Sequence, residues 1–342
     1  MNKPQKTIDC FFNNKSESKK YDVKRYFYLI WTNKYKPDCQ AYWTNTKPEK
    51  VNFIEIVYCD YIKKGYYFYI CGYFSDIDEN EYYLTKEKVY KNISYLQSHF
   101  QKSIRKQDEQ LALSTAIHLF RLDIIHLLHR LPIIMLEDVI LHESFTTIIW
   151  LMIAISQKNK FKIKKYIYEW LLGIIYLLCK INEKNIINEK NTDNKNIIEN
   201  LNNYSKLNCN ECSILYSIHL RIAYGGIDKD LKMLQYFAYQ FYENKEKYIN
   251  KNEIRPISIF VKELDLQDWN LSAIDYNCNS KLISLISKKF NNIREDEIKK
   301  IIWYNSSSIN KREKTNNYNL LEWNKIKSFV EKTQRYLLDS YY

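Results

Sequence analysis

The hydrophobic period of this chain changes once, near residue 86, and that change limits the fold more than any other feature of the sequence. Before it, aromatic and β-branched runs read at period two: Arg25–Trp31, Gln40–Thr44, Val51–Tyr58 and Tyr66–Cys71. Turn formers separate the runs at Asn33–Asp38, Asn45–Glu49 and Lys63–Gly65, and the last two runs suit a hairpin closed around Lys63–Gly65. After the change, apolar residues recur every three to four positions, beginning with Ile93, Leu96, Phe100 and Ile104. The pattern predicts an α+β, mainly α protein. A polar tail over 1–22 leads into a small N-terminal antiparallel β-sheet over 23–85, and a multi-helix body follows over 86–342.

Within the helical body, Asp108 is a capping residue for a helix that turns Leu111, Ala112, Ala116, Leu119 and Phe120 inward. Asp123 starts a short helix to Leu131, and Pro132 opens the next one, since a proline is tolerated in a first turn. Further helices are expected over Phe145–Ile155, Phe161–Cys179, Ser213–Tyr224, Asp228–Tyr242, Ser280–Phe290, Glu295–Trp303 and Glu322–Leu338. An Asn/Lys/Ile-rich stretch, 182–208, reads as a low-complexity loop inside this body. The runs Thr146–Ile155 and Tyr168–Leu178 are too short to span a bilayer, so no membrane partner is expected.

Glycine is scarce, with only five residues at positions 65, 72, 173, 225 and 226, and no Gly-x4-Gly-Lys-Ser/Thr phosphate loop can be written. A conventional nucleotide-driven motor is excluded. The eight cysteines follow an N-terminus, MNKPQKTIDC, that has no apolar leader, so they read as reduced thiols of an intracellular protein. Cys209 and Cys212 have zinc-ligand spacing but lack a second nearby pair. Free cysteines are the expected state, with no metal and no cofactor. His118, His126 and His129 share one apolar helical region and suit core or boundary positions. Glu137 and Asp138 are adjacent and point to different helix faces, so no catalytic set emerges.

The net charge of +12 fits contact with a polyanion. Lys102, Arg105, Lys160, Lys162, Lys164 and Lys165 are the candidate phosphate contacts. Tyrosines and lysines exposed on the sheet could stack bases, but packing of these aromatics as core and rim against the helices is the favoured reading.

The first dozen residues contain Gln5-Lys6-Thr7-Ile8-Asp9-Cys10-Phe11-Phe12. One helical turn would put Ile8, Phe11 and Phe12 on one face, with Gln5 a turn earlier, as suits a plug for an apolar pocket. This octapeptide resembles the box by which replication and repair proteins dock on the ring-shaped sliding clamp, proliferating-cell nuclear antigen. All four specified positions are met: the glutamine, the aliphatic residue and the two aromatics. The resemblance implies a PCNA-like clamp as partner, with Gln5, Ile8, Phe11 and Phe12 as the docking residues.

A second stretch, Leu96 to Leu141, is similar to the helical C-terminal region of the clamp-loader-related ATPases called MgsA or Werner-helicase-interacting protein. Gln101-Lys102-Ser103-Ile104-Arg105, Asp108, Ala112-Leu113, Asp123, Arg130-Leu131 and Glu137-Asp138-Val139 carry the similarity. His129 replaces an arginine of that family and Ile140 a glycine. The resemblance implies a collar-like helical module, and an oligomer is possible; no ATPase residues accompany it.

The expectation is therefore a non-enzymatic replication or repair accessory factor, nuclear or at a viral replication site. It would dock on a clamp through its tail and contact DNA or replication proteins through a basic helical body. A nucleic-acid-processing enzyme and a self-associating structural protein are the alternatives.

Overall fold

The computed structural model describes residues 25–32, 39–59, 66–75, 92–157, 161–186, 209–244, 249–258, 264–274, 280–314 and 318–340. The clamp-docking box and Lys160 lie outside these residues, as does most of the 182–208 stretch. The architecture is α+β and mainly α, as expected. Strands β1 (Tyr26–Trp31), β2 (Cys39–Thr44), β3 (Phe53–Cys59) and β4 (Tyr66–Phe74) form one sheet in the order β2-β1-β4-β3. The outer pairs β1–β2 and β3–β4 are antiparallel, but the central pair β1–β4 is parallel. The sheet is thus mixed, not purely antiparallel. Local patterning marks where a strand runs, whereas the partner is chosen by tertiary packing.

Contact density divides the chain into two compact units, and the division does not follow the change of period at residue 86. One unit holds Met1–Tyr82, Leu131–Ile167 and Asn185–Glu253; the other holds Tyr83–Arg130, Tyr168–Lys184 and Ile254–Tyr342. The helices are α1 (Ile93–Arg105), α2 (Glu109–Glu137), α3 (Phe145–Ser156), α4 (Lys165–Lys180), α5 (Cys209–Ala223), α6 (Asp228–Asn244), α7 (Ser280–Lys289), α8 (Glu295–Ile302) and α9 (Leu320–Asp339).

In the first unit, one face of the sheet packs on α3 and α5. Strand alternation sends Phe27, Leu29, Trp31, Ala41, Trp43, Val57, Phe68 and Ile70 to this side, and all are buried. Phe27 and Trp43 stack at 4.6 Å, and Trp150 of α3 sits among Phe53, Phe74 and Phe161. The Trp150 indole N–H is shared between the carbonyls of Phe27 and Cys71, at 3.0 Å each. This approach needs Gly72, where a Cβ would lie 2.8 Å from the Phe74 ring and 3.2 Å from the indole.

Strand β2 lies at the sheet edge, where unpaired N–H groups invite pairing with another chain. Here the helices take those donors. Ala41 N–H donates to Thr147 Oγ1 of α3, and Trp43 N–H donates to Ser213 Oγ of α5, both at 3.0 Å.

In the second unit, α1 ends with Gln107 in the left-handed region (φ 54). Gln107 N–H donates to Ile104 O and Asp108 N–H to Ser103 O, which is the Schellman pattern. Asp108 then serves the next helix at once, its Oδ1 accepting from Leu111 N–H at 3.1 Å. Asp123 is extended inside α2 and its Oδ1 accepts from Ile125 N–H at 2.9 Å, so a new helical segment starts there, as expected.

Pro132, in contrast, opens nothing: the segment runs through it to Glu137. Leu131, Ile133, Ile134, Met135 and Leu136 are fully buried around it. Five buried apolar side chains, at roughly 1.5–3 kcal/mol each, outweigh the ~3 kcal/mol penalty of an interior proline. By length and composition α2 could cross a membrane, but 67% of its most apolar window is buried within the protein. Gly173 of α4 lies against the main chain of Arg255, where a Cβ would be 2.3 Å from the carbonyl oxygen.

Candidate functional site

The second face of the sheet carries the other half of each strand, and it is built largely of tyrosine. The pairing register arranges it in rows. Tyr58 of β3 stands beside Tyr67 of β4. The next row is Ile56, Tyr69, Tyr26 and Thr44, followed by Ile54, Cys71, Tyr28 and Tyr42, and then by Tyr73, Ile30 and Gln40. Along β1 and β4 the sequence alternates Tyr26-Phe27-Tyr28-Leu29 and Tyr67-Phe68-Tyr69-Ile70. Every second residue is therefore amphipathic, and the intervening one is purely apolar.

The rings are held in defined geometry. Tyr26 and Tyr69 stack at 5.2 Å with 13° between planes. Tyr58 meets Tyr67 at 4.8 Å, and Tyr28 meets Tyr42 edge-on at 5.6 Å. Tyr26, Tyr42, Tyr58, Tyr67, Tyr69 and Tyr73 are half-buried. Ile54 and Ile56, on the edge strand β3, are 46% and 39% exposed.

Tyr28 is the buried exception. Its hydroxyl donates to Lys50 O at 2.7 Å, and burial, helped by Tyr42, Cys71 and Tyr73, raises its pKa. The Lys50 ammonium lies 5.7 Å from the centre of the Tyr73 ring. Beneath this layer, burial pushes the Cys71 thiol up to about 12, so it stays protonated and unreactive. The only carboxylate in the four strands is Glu55, which alternation assigns to the packed side.

The first unit also has a cleft of about 280 Å³ beside β2, lined by Gln40, Glu143, Thr146, Asn210, Glu211 and Lys251 among others. Next to it His142 is structural. Its Nε2–H donates to Asn252 O at 2.9 Å, while Nδ1 accepts from Ser144 N–H at 3.1 Å and faces Ser144 Oγ at 2.8 Å. Burial lowers its pKa, and the neutral ring ties the start of α3 to the 250–252 segment.

The charge-based candidates occupy other places. Lys102 and Arg105 were expected at a phosphate-contact surface, but they are 5% and 4% exposed and form no such surface. Arg105 Nη1 donates to Ser307 O at 3.0 Å, and Lys102 Nζ lies 5.7 Å from the Trp303 ring centre. Both long side chains are absorbed into packing near the carboxyl end of α1, where cations are favoured by the helix dipole. Lys162 is exposed, and Lys164 and Lys165 are half-buried at the amino end of α4. Cys209 and Cys212 fall in the first turn of α5, and Cys212 is half-buried there. His219 follows two turns later on the same helix, roughly 10 Å along the axis from Cys212 and too far to share a metal with it. Among the described residues, no group of three His, Cys, Asp or Glu is placed to hold a metal ion.

The structure also joins polar residues that the sequence left separate. His99, fully buried, accepts from Asn270 N–H at Nε2 (2.9 Å), which places its proton on Nδ1, facing Thr115 Oγ1 at 2.7 Å. The Thr115 hydroxyl donates onward to Leu111 O at 2.6 Å. Burial, with Lys106 and His118 nearby, lowers the His99 pKa to about 3. Both ring nitrogens are committed, so this network braces α1, α2 and the 264–274 segment and leaves no free proton acceptor.

The tyrosine face is the extended site that sequence reasoning raised as a base-stacking surface but ranked below core and rim packing. Its signal was present in β1 and β4 as the alternation Tyr26-Phe27-Tyr28-Leu29 and Tyr67-Phe68-Tyr69-Ile70. Only the register shows that the tyrosines of four strands share one side. Compared with protein-family models, curated proteins and solved structures, the chain matches none.

Proposed function

We propose that this protein is a non-enzymatic accessory factor of DNA replication or repair that docks on a PCNA-like sliding clamp. The observation that carries the reading is the octapeptide Gln5–Phe12, in which Gln5, Ile8, Phe11 and Phe12 stand at the spacing of a clamp-docking box. Twelve residues separate Phe12 from Arg25, the first described residue. Fully extended, they reach up to roughly 45 Å. A docked tail would thus hold the folded body close to DNA threaded through the clamp, at an effective concentration of order mM. The similarity of Leu96–Leu141 to clamp-loader relatives points to the same machinery. The net charge of +12 suits a body that works beside nucleic acid. The site of action in this reading is the nucleus or a viral replication compartment.

Titration calorimetry of the full chain with the clamp from the same genome tests the reading. Binding is expected for the wild type and for a peptide of residues 1–22, and its loss for the double variant Phe11→Ala/Phe12→Ala. A wild-type chain that leaves the clamp unbound overturns the reading.

A further inference from the structure

We propose that the tyrosine face of the sheet is a binding site for single-stranded nucleic acid, read by stacking of two or three bases on Tyr58, Tyr67 and Tyr69. The inference deepens the accessory-factor reading and rests on it for the origin of the strand, but the stacking argument stands on the sheet alone. An aromatic ring offers a base a sequence-tolerant partner because every base has a π-face. Such a site needs rings that are partly exposed, fixed in orientation and spread over more than one strand. Tyr67 and Tyr69 are two residues apart on β4, about 6.6–6.8 Å by strand geometry. Each is braced from a neighbouring strand, Tyr67 by Tyr58 and Tyr69 by Tyr26. Their conformational freedom is already spent before any ligand arrives, which favours binding.

Charge selects the occupant. The strand residues on this face carry no carboxylate, and Lys50 stands over Tyr73 at its margin. Among the described strand residues of this face, a polyanion meets no like charge. A second copy of the chain would bring another +12 toward the first, and an acidic peptide would gain little from a surface of rings. Ile54 and Ile56, exposed beside the rings, offer apolar contact to the sugars. Duplexes are disfavoured because their base faces are stacked internally.

The test is fluorescence anisotropy with end-labelled dT20, U20 and a 20-base-pair duplex, using the full chain. Binding of dT20 or U20 in preference to duplex is expected, and the tighter of the two names the sugar. Tyr67→Ala/Tyr69→Ala should weaken binding by roughly tenfold or more per lost ring, whereas Tyr67→Phe/Tyr69→Phe stays within about twofold. Phe11→Ala/Phe12→Ala should leave this binding unchanged while abolishing clamp binding, so the two readings fail separately. On the unaltered protein, dT20 should protect Tyr67 and Tyr69 from nitration by tetranitromethane, mapped by mass spectrometry, which keeps the test valid if the alanine variant misfolds. The proposal is overturned by absence of strand binding at low salt, by duplex binding of equal strength, or by unprotected tyrosines. A dimer in light scattering that the alanine variant dissociates would overturn it as well.

Discussion

The guanidinium of Arg312 donates to the main-chain carbonyl of Ile104 at 2.9 Å, across 208 positions of sequence. It also reaches Ile181 O at 2.8 Å and the carbonyl of Leu178. One side chain therefore closes the carboxyl ends of α1 and α4, whose last carbonyls have no partner inside their own helices. Arg312→Ala should lower the unfolding free energy by about 2–4 kcal/mol, read as a shifted urea midpoint. Lysine should recover less than half of the loss, because a single ammonium cannot reproduce the fork.

Stability should fall on the acid side. His99 is held near pKa 3 and His219 near 4, both chiefly by burial, against 6.5 for the ordinary group. The unfolded chain binds protons at these sites that the native state refuses. Their effect on stability is therefore flat above about pH 7. It grows as pH falls below 6.5, at up to roughly 1.4 kcal/mol per pH unit for each group. Urea midpoints at pH 7.5, 6 and 5 check this, and His99→Gln should remove about one proton's worth of the slope.

Gly72→Ala should destabilise the protein by about 1–3 kcal/mol, since the new methyl group has to displace the Phe74 ring and the Trp150 indole. Tryptophan emission of the folded variant should shift along with its thermal midpoint, because the indole N–H that bridges Phe27 and Cys71 loses its alignment.

Asp108→Ala and Asp123→Ala each remove a helix cap and should lower stability by about 1 kcal/mol. Asparagine at either position should restore most of it, as it keeps the accepting oxygen. Chemical denaturation of the four variants at one pH decides the point.

How far these features are legible in the sequence depends on whether they are local. Four aromatic, β-branched runs became four strands because nothing else in those segments competes with the pleat. Asp108 and Asp123 are readable as caps because a cap is a contact over two or three residues. The parallel pairing of β1 with β4 is not local, and neither is the burial of Lys102 and Arg105. Charge alone put those two at a surface, but their partners, Trp303 and Ser307, come from about 200 residues later. Pro132 misled for a related reason, since the buried side chains that hold its helix together are not visible in the residues near it. The tyrosine face lies between these cases: its alternation is local, and its assembly into one surface needs the register.

The interleaving of the two units bears on how the protein is made. The chain passes from one unit to the other after residues 82, 130, 167, 184 and 253, twice within a continuous helix. A ribosome releases all four strands long before it has made Trp150, which their packed face needs, or Ser213, which closes the β2 edge. At roughly 5–20 residues per second, the interval from β4 to the end of α5 is on the order of ten seconds. Throughout it a nascent aromatic sheet has one face unburied and an edge unguarded. Such a chain calls for a chaperone during its synthesis more than one whose domains are finished in order, and neither unit can be cut out as a single uninterrupted fragment.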